Sequence, residues 1–360
     1  MPAVLKFTEV KNSANRILWP AFFFLFFFIC NTVLAQITDH VLPFSLFENG
    51  QESEAKEKAE KAVDSNNLDI HQKAKLWHLL AIINDRQNNH QNALQLALKA
   101  VSGSPKSIQY KLDAGLLAMK NKSSGIAKRL FQDALAIDST NYQAHYNLGL
   151  MYAFAKIPSK AENHLHTCIS ITPEAPWPHV LLGNLNLKSK KPEKAAFHLE
   201  KGINKGADNT QTRTLLADTY MMMNRYNSAA NIYRSVLDSL PHDNLTVRKL
   251  GIAYLKANEF HKAEKALSQL IQSESPTAED FISLGRAELF LKRKKKATQT
   301  FSLGLSAFPE NPNLEYLLAY SLYYSGAKKK ARLHFRQAIK NGYKKEHADF
   351  LLRKDCETHP

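Results

Sequence analysis

The sequence predicts an all-α chain, an α-solenoid of helix-turn-helix hairpins, and three observations carry that prediction. The first is a period of 34: stepping forward from Ala93 gives Ala127, Ala161, Ala195, Ala229, Ala263, Ala297 and Ala331 without a miss. The second is a column twelve residues upstream, Ala81, Gly115, Gly149, Gly183, Ala217, Gly251, Gly285 and Ala319, which admits only the two smallest side chains. The third is proline at 105, 173, 241 and 309, once in every second repeat, where the period ends. Self-similarity at a fixed period of this size marks an array of stacked units.

Each column has a packing reason. Counted from Ala74, the small residues fall at the eighth and twentieth places of every repeat, where they let two antiparallel helices approach closely. A leucine precedes the eighth place in seven repeats, Ala114 in the other. The twenty-fourth place holds Ala97, Phe131, Leu165, Leu199, Tyr233, Leu267, Phe301 and Phe335, which fill the space around the small residues. Glycine inside a helix costs about 1 kcal/mol against alanine, so its recurrence needs such a cause. Proline stops the second helix and turns the chain into the next repeat. One hairpin cannot bury its apolar face alone, whereas stacked neighbours make a continuous core.

The elements follow in order. Lys6, Lys11 and Arg16 precede an uncharged apolar run from Ile17 to Ala35. That is the pattern of an export signal over residues 1–35, with Val33 and Ala35 before a cut at Gln36. An uncleaved N-terminal membrane anchor is the alternative, since about 20 apolar residues span a bilayer. Either way the positive flank stays inside and the rest of the chain lies outside the cytoplasm, periplasmic or associated with the cell envelope. Residues 36–73 form an N-terminal segment in which Ala55, Ala59 and Ala62 suggest the second helix of a further, partial repeat or a capping helix, joined by a longer loop. Eight repeats then run without insertion over residues 74–345. In residues 346–360, Phe350, Leu351 and Leu352 suggest a C-terminal capping helix and tail.

These repeats resemble the tetratricopeptide repeat family, whose 34-residue pattern places Trp, Leu-Gly, Tyr, Ala, Phe, Ala and Pro at fixed spacings. Leu148, Gly149, Tyr152, Ala161, Leu165 and Pro173 stand at those places, and Trp77 matches the leading Trp once. Asn84, Asn186 and Glu288 depart from it at the Tyr place. The resemblance implies a right-handed superhelix whose first helices line a concave groove through their second, fifth, ninth, twelfth and thirteenth places. Carried onto this chain, the groove would present Tyr316, Tyr320, Tyr323 and Tyr324 in the last repeat, and Ile282, Arg286, Leu289 and Phe290 in the one before. Arg248, Ile252, Leu255 and Lys256 follow, then Met221 and Met222, and further up Tyr146 and Phe154. The paired Lys and Asn by which some members hold a C-terminal carboxylate are missing, because Arg248 is followed by Ile252 and Val180 precedes Asn184.

Composition narrows the function class. The 360 residues are 44% hydrophobic and 22% charged, ordinary for a folded chain. The repeats leave no stretch long enough for a catalytic domain. Fourteen histidines are scattered, and no zinc-protease, paired-cysteine, phosphate-loop or nucleophile-elbow motif occurs, so no enzyme, metal, cofactor or small-molecule substrate is expected. Cys30, Cys168 and Cys356 give no disulfide framework, and Cys168 shares a small-residue column with Ala134 and Ala338.

Charge concentrates in the turns between the paired helices, which hold twenty Lys and Arg against Glu193 and Glu259, in a chain of net charge +15. The ridge is richest at Lys188, Lys190 and Lys191, at Lys292, Arg293, Lys294, Lys295 and Lys296, and at Lys328, Lys329 and Lys330. A solvated edge is one meaning of such runs, and an anionic membrane surface or envelope polymer is the other. Nucleic acid is not expected for an exported chain. The sequence therefore suggests a non-catalytic interaction scaffold that holds a peptide or helix of a cell-envelope partner in its groove. The alternative is a structural or assembly subunit docked by the basic ridge.

Overall fold

The computed structural model describes residues 38–65 and 67–344. Eighteen α-helices follow one another there, and no strand occurs among the described residues. The export signal and the C-terminal cap expected from the sequence lie outside them. No helix among the described residues is long and apolar enough to cross a membrane.

The chain forms two compact units, one through Ala155 and one from Lys156. The first holds α1 (Thr38–Glu48), α2 (Glu52–Asp64), α3 (Ile70–Arg86), α4 (His90–Gly103), α5 (Ile108–Lys120), α6 (Ser124–Ile137) and α7 (Tyr142–Phe154). The second runs through α8 (Pro158–Ile171), α9 (Pro176–Lys188), α10 (Pro192–Asn204), α11 (Thr210–Met222), α12 (Tyr226–Ser239) and α13 (Asn244–Lys256). It continues with α14 (Phe260–Leu270), α15 (Ala278–Phe290), α16 (Lys294–Ala307), α17 (Pro312–Tyr324) and α18 (Lys328–Lys340).

The period fixes the helix ends. From α5 onward every first helix begins at the first place of its repeat, and every second helix begins at the seventeenth. The last place of the repeat is an N-cap. Asn141 accepts from the Ala144 amide at 3.0 Å, Asn209 from Thr212 at 2.8 Å and Asn311 from Leu314 at 3.0 Å. Such oxygens satisfy amides that lack an intrahelical partner. Ala175 is the exception, and Pro176 follows it, needing no acceptor for its missing N–H.

The first unit carries one hairpin more than the sequence register shows. Both α1 and α2 are present, and Ala55, Ala59 and Ala62 of α2 pack on Leu76, Leu79, Leu80 and Ile83 of α3. These alanines stand 38 residues before Ala93, Ala97 and Ala100, which are likewise buried. The four extra residues are not a longer loop. They are an added turn of α3, which has 17 residues where α5 has 13.

The small columns are contact points. A Cβ placed on Gly115 would lie 2.5 Å from the Phe131 ring, on Gly183 2.6 Å from Leu199, and on Gly251 2.5 Å from Leu267. At Gly285 the Phe301 ring is closer still. The departures at the Tyr place are accommodated locally. Asn84 and Asn186 each donate to the carbonyl four residues earlier at 2.8 Å, and Thr300 donates to the fully buried Glu288 at 2.7 Å.

Each hairpin turn hinges on one left-handed residue at the fifteenth place. Asn88, Lys122, Lys156, Lys190, Asn224, Asn258 and Lys292 have φ between 55° and 61°, and Gly326 has φ 89°. The next amide then reaches back to close the helix, as in Ser123 N–H to the Ala118 carbonyl at 2.8 Å and Lys191 to Asn186 at 2.9 Å.

Candidate functional site

In the second unit the first helices touch one another, α13 with α15 and α15 with α17, so their outward places form one face. At its end α17 carries the four tyrosines, while Leu314, Leu318 and Ala319 turn into the core. Tyr316, Tyr320 and Tyr323 are half-buried against the cluster of Ala319, Ala331 and Phe335, and Tyr324 is 46% exposed. The rings touch in series. Tyr316 lies 6.5 Å from Tyr320 and Tyr320 lies 4.6 Å from Tyr324, centroid to centroid. A fifth tyrosine joins them: Tyr343, beyond α18, stacks on Tyr316 at 4.2 Å with the planes 9° apart. Burial pushes the hydroxyls of Tyr316, Tyr320 and Tyr343 above the usual phenol range. They are neutral donors at any ordinary pH.

The charged side chains on this face divide. Arg286 is exposed and close enough to Tyr343 to act on its hydroxyl. Arg248 does not stand open as the register suggested: its guanidinium donates two hydrogen bonds, at 2.6 and 2.8 Å, to the fully buried Asp280. Thr277 donates to the same carboxylate through its amide at 2.8 Å and its hydroxyl at 2.9 Å. These partners hold Asp280 below the usual carboxylate range against the opposing effect of its burial. Asp218 is likewise occupied, accepting from Tyr233 at 2.5 Å and Lys249 at 2.7 Å. Ile282, expected in the groove, is buried at 3% exposure.

Of the remaining groove candidates, Met221 is half-buried, Met222 is 52% exposed and Phe290 is 61% exposed. Phe290 stacks on Phe260 at 4.5 Å. Tyr146 and Phe154 fall in the first unit on α7, Tyr146 stacked with Tyr142 at 6.1 Å and Phe154 63% exposed.

The ridge is less uniform than its sequence. Lys188, Lys190, Lys191, Lys292, Lys295, Lys329 and Lys330 are exposed, and no ion pair reaches them among the described residues. Lys294 donates to the Tyr324 carbonyl at 3.2 Å, and the Lys328 ammonium lies 5.7 Å from the Tyr323 ring. Arg293 and Lys296 instead turn back onto Glu264 of α14 at 2.5 and 2.6 Å, and Lys296 also reaches Glu288 at 3.4 Å. The sequence count of opposing acids inside the turns missed Glu264 and Glu288 because both come from helices.

No group of three metal-ligating side chains gathers among the described residues. Burial drives the Cys168 thiol up to about 12, leaving it inert as a nucleophile. His179 and His198 approach each other at 3.2 Å between Nδ1 atoms.

Residues 248–312 match the family model described as tetratricopeptide repeat. The anaphase-promoting complex subunit CDC16 of Saccharomyces cerevisiae is 26% identical over 154 residues, 41% of this chain and 18% of that protein. Tetratricopeptide repeat protein 21A of Mus musculus is 21% identical over 184 residues, 51% of this chain and 14% of that one. The chain thus spans less than a fifth of the length of the curated relatives it matches. Among solved structures, the C-terminal part of a TPR repeat-containing protein from Cytophaga hutchinsonii is 15% identical, covering 68% of this chain and 99% of that one at a TM-score of 0.57. That likeness concerns the fold alone.

Proposed function

We propose, from the premise that this chain is a tetratricopeptide-repeat protein, that it is an interaction scaffold whose second unit holds a peptide or helix of a protein partner on its first-helix face. Proteins of this repeat type generally act as interaction scaffolds and are typically not enzymes. One observation carries the finer reading: five contacting tyrosines stand beside an exposed Arg286, which has no ion pair among the described residues, at one end of that face. Tyr and Arg dominate binding energy in protein interfaces, because large rings bury area at low entropy cost and guanidinium binds carboxylate in two places. The basic and apolar N-terminus supports a partner outside the cytoplasm, in the cell envelope. N-terminal sequencing of the protein from native membranes tests that placement. A chain still beginning at Met1 points to an anchor and not to a cleaved signal.

The groove is tested by affinity capture from native envelope with crosslinking. Tyr320→Ala combined with Tyr324→Ala should weaken the captured complex by about 2 kcal/mol or more, the scale of an interface hot spot. Unchanged capture by a variant with unaltered helical content rules this face out.

A further inference from the structure

The hairpin turns of the last three repeats combine exposed rings with lysines that have no ion pair among the described residues. Phe290 closes α15 and Phe260 opens α14, and their rings stack at 4.5 Å with the planes 11° apart. Stacking covers one face of Phe290, yet the residue remains 61% exposed. Tyr324 closes α17 with 46% exposure, and Lys294 ties the two turns together through the Tyr324 carbonyl at 3.2 Å. The same turns carry Lys256, Lys292, Lys295 and Lys329, exposed and without an ion pair among the described residues. Arg293 and Lys296 are the cations here that Glu264 neutralises. The strip therefore alternates apolar rings with open ammonium groups, on turn tips and not between helices.

Each half of that pattern asks for a different environment. Exposed phenyl rings gain by leaving water, whereas lysines without partners gain from anions and lose by desolvation. The boundary between headgroups and acyl chains of an anionic bilayer offers both at once: phosphates for ammonium groups and, a few ångströms deeper, hydrocarbon for rings. A planar surface also meets turn tips directly, while a peptide needs a cleft for its backbone.

We propose that the turns of the last three repeats dock on the headgroup layer of an anionic phospholipid bilayer, with Phe290 and Tyr324 entering the interface and Lys256, Lys292, Lys295 and Lys329 on the phosphates. This surface shares Tyr324 with the tyrosine face but includes neither Tyr316, Tyr320 nor Arg286, so Phe290 and the lysines can be broken without touching those three.

The test is co-sedimentation of the full chain with vesicles of phosphatidylcholine alone and of phosphatidylcholine mixed with phosphatidylglycerol. The N-terminal apolar segment contributes to both, so the readout is the ratio between the two vesicle types. The unaltered chain should favour the anionic vesicles, and added salt should erase the preference. Combining Lys292→Gln, Lys295→Gln and Lys329→Gln should cut the ratio about a hundredfold, at roughly 1 kcal/mol for each lysine. Phe290→Ala should weaken anionic-vesicle binding about tenfold through lost apolar insertion, whereas Tyr316→Ala should leave it alone. Equal binding to both vesicle types overturns the proposal. So does a lysine effect without a Phe290 effect, which marks a surface for an acidic protein instead.

Discussion

Lysine is a poor occupant of left-handed backbone, yet four turns of this chain place it there, at Lys122, Lys156, Lys190 and Lys292. The geometry is needed because the next amide must close the preceding helix, and of the hairpin turns those at Gly50 and Gly326 meet it without a Cβ. Left-handed backbone costs an L-residue about 1 to 2 kcal/mol, part of which glycine returns through its looser unfolded chain. Lys122→Gly should therefore stabilise the protein by about 0.5 to 1 kcal/mol and Gly326→Ala should destabilise it by about 1 kcal/mol, read by urea unfolding. Burial and the neighbouring His179, His166, Lys201 and Lys194 hold His198 down at about 4, and burial with Lys201, Lys205 and His166 lowers His179. Both are neutral in the fold, while the unfolded chain takes up protons below its ordinary value of 6.5. Stability should thus be full above about 6.5 and fall as the pH drops toward about 4. Thermal unfolding across that window should show a shallower slope in His198→Gln.

At the scale of elements, the hairpin is a pair of helices keyed by one small and one large side chain. Gly285 of α15 sits under the fully buried Phe301 of α16, while Ala217 and Ala319 face Tyr233 and Phe335 at the same places, so the spacing is set hairpin by hairpin. Gly285→Ala gains about 1 kcal/mol of helix propensity but forces the Phe301 ring or the helix aside. Overpacking should win, leaving a net loss of about 1 to 2 kcal/mol by urea denaturation. Gly125, near the start of α6, has nothing within 4 Å of its added Cβ, so Gly125→Ala should instead stabilise by about 0.5 kcal/mol. Successive first helices are further held by ion pairs. The Arg248 to Asp280 pair ties α13 to α15, and Glu264 of α14 takes Arg293 and Lys296 from the following repeat. These pairs withdraw cations from surfaces where the sequence alone leaves them open.

At the scale of the whole molecule, hairpins within each of the two units pack on their sequence neighbours, so the stability of each unit is a sum of hairpin and interface contributions. Chains of this kind lose cooperativity as they lengthen. Trp77 reports on the first unit and Trp177 on the second. With Trp19 and the other tryptophan of the pair replaced by Phe, urea unfolding followed by fluorescence should give different midpoints for the two sites. Coincident midpoints indicate a single cooperative transition.

The alanine and glycine columns determined by themselves the fold class, the period and the pairing of helices, because close approach of two helices admits only small side chains whatever lies around them. Most first-helix starts are carried by the sequence too, in the polar residue at the last place of the repeat, as Ser107, Asn141, Asn209, Asp243 and Asn311 accept from an amide of the helix they open. Of the first hairpin, the alanines of α2 were legible as a second helix, whereas α1 escaped because an extra turn of α3 shifts the register by four residues. Tertiary structure decided which polar and aromatic side chains remain open. Nothing in the spacing of Arg248 shows that Asp280 lies beside it, nor does the run around Lys296 show that Glu264 and Glu288 face it. Tyr343 joins the tyrosines only because α18 returns the chain to Tyr316. Periodicity fixes where a side chain points along its own helix, whereas its partner comes from a neighbouring repeat, and only packing brings the two together.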